Sequence, residues 1–336
     1  MSVLQNWKEV IDTANLSDDK EMDVVSRWLI ITRAAVISMT LTSGLIGGLL
    51  AAAIAADPNW LHFGLALLGL VIAHAANNMI NDYFDLQGGV DDDAYTRALY
   101  APHPVLSGMI SKRGLIAAIL AANFIDAAIM VYLALNVGWP IVLFALAGLF
   151  ISVFYVAPPL KLKHHGLGEP GVFIVWGPLM IGGTYFATAG SMPPASVWLA
   201  CIPYALVVTT VLIGKHIDKI EVDAEKGIRT LPVILGERAS LRLNMALMVL
   251  YYVTIFALVL TGMLGVWLLL VLLAVPRLIE VLATYRKPKP EEPPEDYPVW
   301  PLWFVSAAFY HNKLAGGLFV LGLILNLIIP FRLDIF

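Results

Sequence analysis

Between His74 and Asp85 the chain places six polar side chains in an otherwise apolar run: His74, Asn77, Asn78, Asn81, Asp82 and Asp85. Positions 74, 78, 81 and 85 are three or four apart, so a helix carries them on one face. Asp91, Asp92 and Asp93 follow closely. Carboxylates and amides are costly at membrane depth unless they line a cavity or hold a ligand. Hard oxygen donors without cysteine suit Mg²⁺, which takes one or two carboxylates and completes its shell with phosphate oxygens and water. A second stretch holds Lys215, His216, Asp218, Lys219, Glu221, Asp223, Glu225, Lys226 and Arg229. It fits either a ligand site or a solvated helix end laced with i,i+4 pairs. A third stretch, YVAPPLKLKHHGLGE, runs from Tyr155 to Glu169. Pro158 and Pro159 end a helix there, and Lys161 and Lys163, alternating with Leu, point the same way in an extended segment. Basic residues opposite acidic clusters would hold a polyanion.

The elements that must position these residues are membrane helices. Of 336 residues, 59% are hydrophobic and only 14% are charged, with a net charge of −4. Soluble globular chains are nearer 45–50% apolar and about 25% charged. The balance excludes a disordered chain, a basic nucleic-acid binder and an ordinary soluble enzyme. The single Cys201 excludes a disulfide framework and a cysteine metal site. Apolar segments recur near 31–56, 60–86, 114–136, 139–157, 171–189, 195–218, 240–262, 265–284 and 302–330, without the alternation of a β-barrel. The expected fold is an all-α polytopic membrane bundle of about nine transmembrane helices. Most of the Lys and Arg fall at the N-terminus, in the loops 86–113, 158–170, 219–239 and 285–300 or at the adjoining helix ends, and the positive-inside rule places these loops in the cytoplasm together with the N-terminus. A cytoplasmic segment 1–27 then precedes one membrane domain, 28–332. No basic leader opens onto a short apolar stretch, so no cleavable signal is expected. The Pro- and charge-rich 286–298 reads as a polar connector.

Other residues stand out singly. Asp126, one turn after Asn123, lies mid-helix, where a carboxylate is a candidate for an acceptor pocket or a paired structural group. Arg33 sits near the cytoplasmic entry and is either functional or snorkelling. Tyr155 and Trp176 could offer π faces to a cation or anchor the interface. His311 and Asn312 suit hydrogen bonding between helices.

Three runs carry a resemblance: NDYFDLQGGVD from Asn81, YVAPPLKLKHHGLGE from Tyr155 and DAEKGIRTLPVILG from Asp223. In this order they resemble the signatures of the UbiA family of intramembrane prenyltransferases, over roughly 30–330. The Gly89-Val90-Asp91 ending resembles the naphthoate prenyltransferases of menaquinone synthesis. The resemblance implies a single nine-helix UbiA-like domain in a prokaryotic cell membrane, its active site facing the cytoplasm. It also implies Mg²⁺-assisted ionisation of a prenyl diphosphate and capture of the prenyl group by a small hydrophobic or aromatic, quinone-precursor acceptor. The other partner is the lipid bilayer, with no nucleic acid.

Carried over by position, Asn81, Asp85 and Asp91 are metal ligands, with Asp82 between the first two and Asp82 and Asp85 counted as catalytic. Asp223 matches the last acidic position, as both ligand and catalytic residue. Lys161 and Lys163 match the diphosphate-side basic segment, Lys161 as catalytic. Within PHPVLSG, from Pro102 to Gly108, His103 stands where an Arg is usual, and Arg97 would supply the charge. Asn78, Asn81, Arg97, His103, Lys163, Lys215, Lys219, Tyr155 and Asp126 form the expected substrate-binding set. The second motif departs from the family: Lys219 stands where an Asp is expected and Lys215 where an Asn is. Either Asp218, Glu221 and Asp223 still hold a metal, or Lys215 and Lys219 meet the diphosphate as ammonium groups. Two other activities stay open on this scaffold: a membrane terpene cyclase and a non-catalytic lipid-binding or transport protein.

Overall fold

A computed structural model of the chain describes residues 3–17, 19–88, 101–295 and 297–333. These residues are helical, with no strand among them. The elements are α1 (Val3–Thr13), α2 (Val24–Ile31), α3 (Ile37–Ile54), α4 (Trp60–Gln87), α5 (Lys112–Asn136), α6 (Pro140–Phe154), α7 (Gly168–Ile174), α8 (Met180–Ala189), α9 (Ala195–Ile217), α10 (Ile220–Glu225), α11 (Leu231–Leu235), α12 (Glu237–Leu260), α13 (Val275–Tyr285) and α14 (Phe304–Ile328). Eight helical segments among the described residues are long and apolar enough to cross a membrane. The expected fourth crossing is shorter. α6 has 15 residues, or about 22 Å of helix against a hydrocarbon core of about 30 Å.

Local chemistry sets the boundaries. Asn59 caps α4 by accepting from His62 N at 3.0 Å, and Ser111 caps α5 through Gly114 N at 3.0 Å. Pro140 opens α6, where its missing N–H costs nothing. The expected helix over 171–189 is interrupted. Pro178 lies inside a π-helical turn, Val175–Leu179, between α7 and α8. Proline cannot donate within a helix, and a π turn is one way to absorb the break. The Trp176 carbonyl in this turn accepts from Ser43 Oγ of α3 at 2.7 Å. The first apolar run is also broken. α2 ends at Ile31, Arg33 is left-handed with φ 53°, and a 3-10 turn leads into α3.

α9 is the axis of the bundle: 78% of its apolar stretch is buried, against 6% for α5. The largest core cluster joins α3, α8, α9, α12, α13 and α14 around Tyr185, Tyr204, Tyr251, Tyr285 and Phe319. α5 therefore presents its apolar side chains to lipid. Small residues let the inner helices approach closely. A Cβ on Gly47 of α3 would lie 2.5 Å from the Ile181 carbonyl oxygen of α8 and 2.9 Å from Thr184 Cβ. Backbone cannot yield as a flexible side-chain end can. Gly47→Ala should cost about 1–3 kcal/mol by overpacking, read as a lower thermal unfolding temperature in detergent. An unchanged transition would contradict this packing.

Candidate active site

The site forms where the α2–α3 break, the end of α4, the turn before α7 and the end of α9 converge. α4 stays helical to Gln87, so its polar face reaches this end of the bundle intact. Asp82 is fully buried and is met by the Arg33 guanidinium. The left-handed Arg33 at the helix break places that guanidinium. Asp85 is buried, and its Oδ2 accepts from Lys163 Nζ at 2.9 Å. Lys219 and Arg33 add to the positive field around Asp85. Asp223 is also fully buried, with Lys219 Nζ 3.4 Å from its Oδ1. Asn81 is buried, and its Oδ1 has no hydrogen-bond partner among the described residues.

Two further contacts hold the basic turn against the second motif. Glu169 Oε1 lies 2.6 Å from His216 Nδ1 and accepts from Leu231 N at 3.3 Å. His165 and Arg229 form an isolated parallel bridge. Glu169 was not singled out in the sequence. Its place at the end of the third polar run was the only signal. Arg33 was noted for its position, but its partner, 49 residues along the chain, had no sequence signature.

A cavity of about 580 Å³ opens from this charged mouth into the bundle. Arg33, Asn77, Asn78, Asn81, Tyr155 and Lys215 line its polar part. Deeper walls include Ile129, Met130, Phe144, Leu149, Trp176 and Leu179. Asp126 lines the same cavity, and its buried Oδ1 has no partner among the described residues. Burial and then the carboxylates of Glu169, Asp85 and Asp223 hold the Tyr155 phenol well above its ordinary pKa, so it remains neutral.

Several of the expected site residues have other partners in the structure. Asp218, expected at a metal, turns away: its oxygens accept from Phe304 N at 3.0 Å and Val305 N at 2.9 Å, at the start of α14. Its other neighbour is Lys289 Nζ at 3.7 Å. Glu221 is exposed to solvent. His103, expected at the substrate, has both ring nitrogens against backbone. Nδ1 accepts from Val105 N at 3.2 Å, and Nε2 faces the Asp82 carbonyl at 3.4 Å. Asn78 reaches the cavity wall but donates to the Thr32 carbonyl at 2.9 Å. Lys161 and Lys163 do not share an extended segment. Lys161 is left-handed, a 3-10 turn covers Leu162–His164, and only Lys163 is buried. Asp91 and Arg97 lie outside the described residues.

The donors fit one metal position better than two. Asn81 Oδ1 and Asp85, one helical turn apart, offer an amide oxygen and a carboxylate of the kind Mg²⁺ takes beside phosphate oxygens. Among the described residues no three His, Cys, Asp or Glu side chains gather as a ready-made metal cage.

Comparison with known proteins places these features. The model of the UbiA prenyltransferase family matches residues 40–312. The 1,4-dihydroxy-2-naphthoate octaprenyltransferase of Bacillus subtilis (strain 168) is 24% identical over 256 residues, 75% of this chain and 77% of that protein. The apo structure of a UbiA homolog from Aeropyrum pernix K1 superposes with a TM-score of 0.65 at 19% identity, covering 86% of this chain and 97% of that one. A UbiA homolog from Archaeoglobus fulgidus bound to GPP and Mg²⁺ superposes at 0.57 with 16% identity, covering 88% and 99%.

Burial raises the Asp218 carboxyl from 3.8 to about 6, against the opposing pull of the Val305 and Phe304 N–H groups and Lys289. Its folded-state value exceeds the unfolded one, so its stabilising contribution is complete below 3.8 and is lost as pH rises through about 6. Relative to Asp218→Asn, the wild type should therefore lose thermal stability across that interval, while Mn²⁺ affinity stays the same in both. A flat stability difference, or a large loss of Mn²⁺ affinity, would return Asp218 to the metal.

Proposed function

The chain belongs to the UbiA prenyltransferase family, and on that premise we propose that it transfers a prenyl group from a prenyl diphosphate to a small aromatic, quinone-precursor acceptor. The observation that carries this reading is a cavity joining a mouth of paired basic and acidic side chains to a largely apolar interior that includes the Asp126 carboxylate. The Bacillus relative named for a naphthoate acceptor and the Archaeoglobus structure bound to GPP and Mg²⁺ support the same substrate classes.

In the proposed reaction the allylic C–O bond breaks and its electron pair leaves with the diphosphate. The acceptor ring then forms a bond to the allylic carbon as its hydroxyl gives up a proton, and the ring hydrogen moves to that oxygen, so that one proton is lost in all. Diphosphate leaves readily only where its growing negative charge is met by preorganised positive charge. Arg33, Lys163, Lys215 and Lys219 supply that charge from the protein. Asn81 and Asp85, with Asp91 beside them in sequence, would hold Mg²⁺, which when bound would neutralise diphosphate oxygens.

The apolar wall formed by Ile129, Met130, Leu149 and Leu179 holds the prenyl chain and keeps water from the cation. Trp176 and the neutral Tyr155 ring present π faces to positive charge. Asp126 accepts a hydrogen bond, and then the proton, from an acceptor hydroxyl. Its orphaned Oδ1 on the cavity wall supports this role over the cyclase and transport alternatives. The clustering of basic side chains at the mouth supports a cytoplasm-facing site.

Purified protein with Mg²⁺, a prenyl diphosphate and 1,4-dihydroxy-2-naphthoate should release diphosphate and yield a prenylated product by mass spectrometry. Asp85→Ala should lower release by about 10²-fold or more, and full activity in that variant would remove Asp85 from the site. Asp126→Asn should keep diphosphate release but lower adduct formation by about 10²-fold, the usual scale for loss of a proton acceptor. Equal loss of both would assign Asp126 to structure instead.

A further inference from the structure

Resting on the prenyl-diphosphate reading, we propose that the second acidic motif takes no metal ion: the Lys219 ammonium occupies that position and binds the diphosphate directly, leaving one divalent cation at Asn81 and Asp85.

A second divalent cation needs a donor set, and geometry removes its members one by one. Asp218 is spent on the N–H groups that open α14. Glu221 is exposed to solvent. Position 219, one turn before Asp223, is a lysine rather than a carboxylate. Glu169, a buried carboxylate outside the motif, gives its Oε1 to His216 and the Leu231 N–H, while its Oε2 has no partner among the described residues. Of the second motif's own carboxylates Asp223 remains at the site, and Lys219 Nζ stands 3.4 Å from its Oδ1. A lone carboxylate is a poor ligand set for Mg²⁺, which demands near-octahedral geometry at about 2.0–2.1 Å; Asp85 differs in having the unpartnered Asn81 Oδ1 one turn away.

Charge leads to the same conclusion. Asp82, Asp85 and Asp223 face Arg33, Lys163 and Lys219, one cation for each carboxylate. Lys215 adds a further positive charge on the cavity wall. Among the described residues, then, each of these buried carboxylates already faces a protein cation. Lys219, 3.4 Å from Asp223, also adds to the positive field at Asp85. Lysine binds phosphate as a point charge and can do what a metal does there without a coordination shell.

The test counts metal ions instead of turnovers. Wild-type protein in detergent is loaded with geranyl thiolodiphosphate or inorganic diphosphate, and bound Mn²⁺ is counted by electron paramagnetic resonance. One Mn²⁺ per chain is expected, rising to two in Lys219→Asp, which restores two carboxylates one turn apart. Lys219→Met should weaken diphosphate binding by about tenfold or more with the count still one, and Lys219→Arg should recover most of that affinity. Two ions in the wild type would overturn the inference while leaving the prenyl-diphosphate reading intact. Unchanged diphosphate affinity in Lys219→Met would do the same. Failure of both probes to bind at any Mn²⁺ concentration would overturn the reading, and this inference with it.

Discussion

A carboxylate buried in a membrane protein stays ionised only where it is paired, because an isolated charge in a low-dielectric interior costs several kcal/mol or more. Asp82, Asp85 and Asp223 all lie in the folded interior at one end of the bundle. Each is answered by a cation: Arg33 from the break between α2 and α3, Lys163 from the turn before α7, and Lys219 from the junction of α9 and α10. Removing one partner would leave an uncompensated charge. The ion pairs therefore tie distant segments to one another and fix the rim of the cavity.

The same pairing shapes the chemistry. A mouth in which acids and bases are matched has little net field of its own, yet it holds several ammonium groups and one guanidinium in place before a ligand arrives. Such preorganised charge stabilises a departing anion without reorganisation. The cavity beyond the mouth is largely apolar, with Asn123, Asp126, Ser152 and Thr184 among its polar lining residues, so a lipid chain and a carbocation meet few groups that could quench them. The π turn around Pro178 brings Trp176 to the cavity wall, while Ser43 satisfies a carbonyl within it.

The polar face of α4 was legible in the sequence because three- and four-residue spacing is a local property of a helix. The bundle was legible from apolar runs alone. Boundaries were less so. The break at Arg33 and the π turn at Pro178 lie within continuous hydrophobic stretches, where periodicity gives no warning. His103 and Asp218 misled for one shared reason. Each is a polar residue close to a motif, and proximity in sequence does not give side-chain direction. His103 turns to the backbone of its own turn and of α4. Asp218 serves a helix that begins 86 residues further on.

The scarce charge of this chain, gathered at helix ends on one side of an apolar bundle, determined by itself that a polar site would form at a membrane surface. The helical rise and the cost of charge in lipid leave few other arrangements. The pairing of particular carboxylates with particular cations was decided only by tertiary structure. A left-handed residue, a 3-10 turn and the docking of α14 set where each side chain points, and such long-range choices have no local signature. On that level the lysines of the second motif cease to be anomalies of spelling and become the charges that face Asp85 and Asp223.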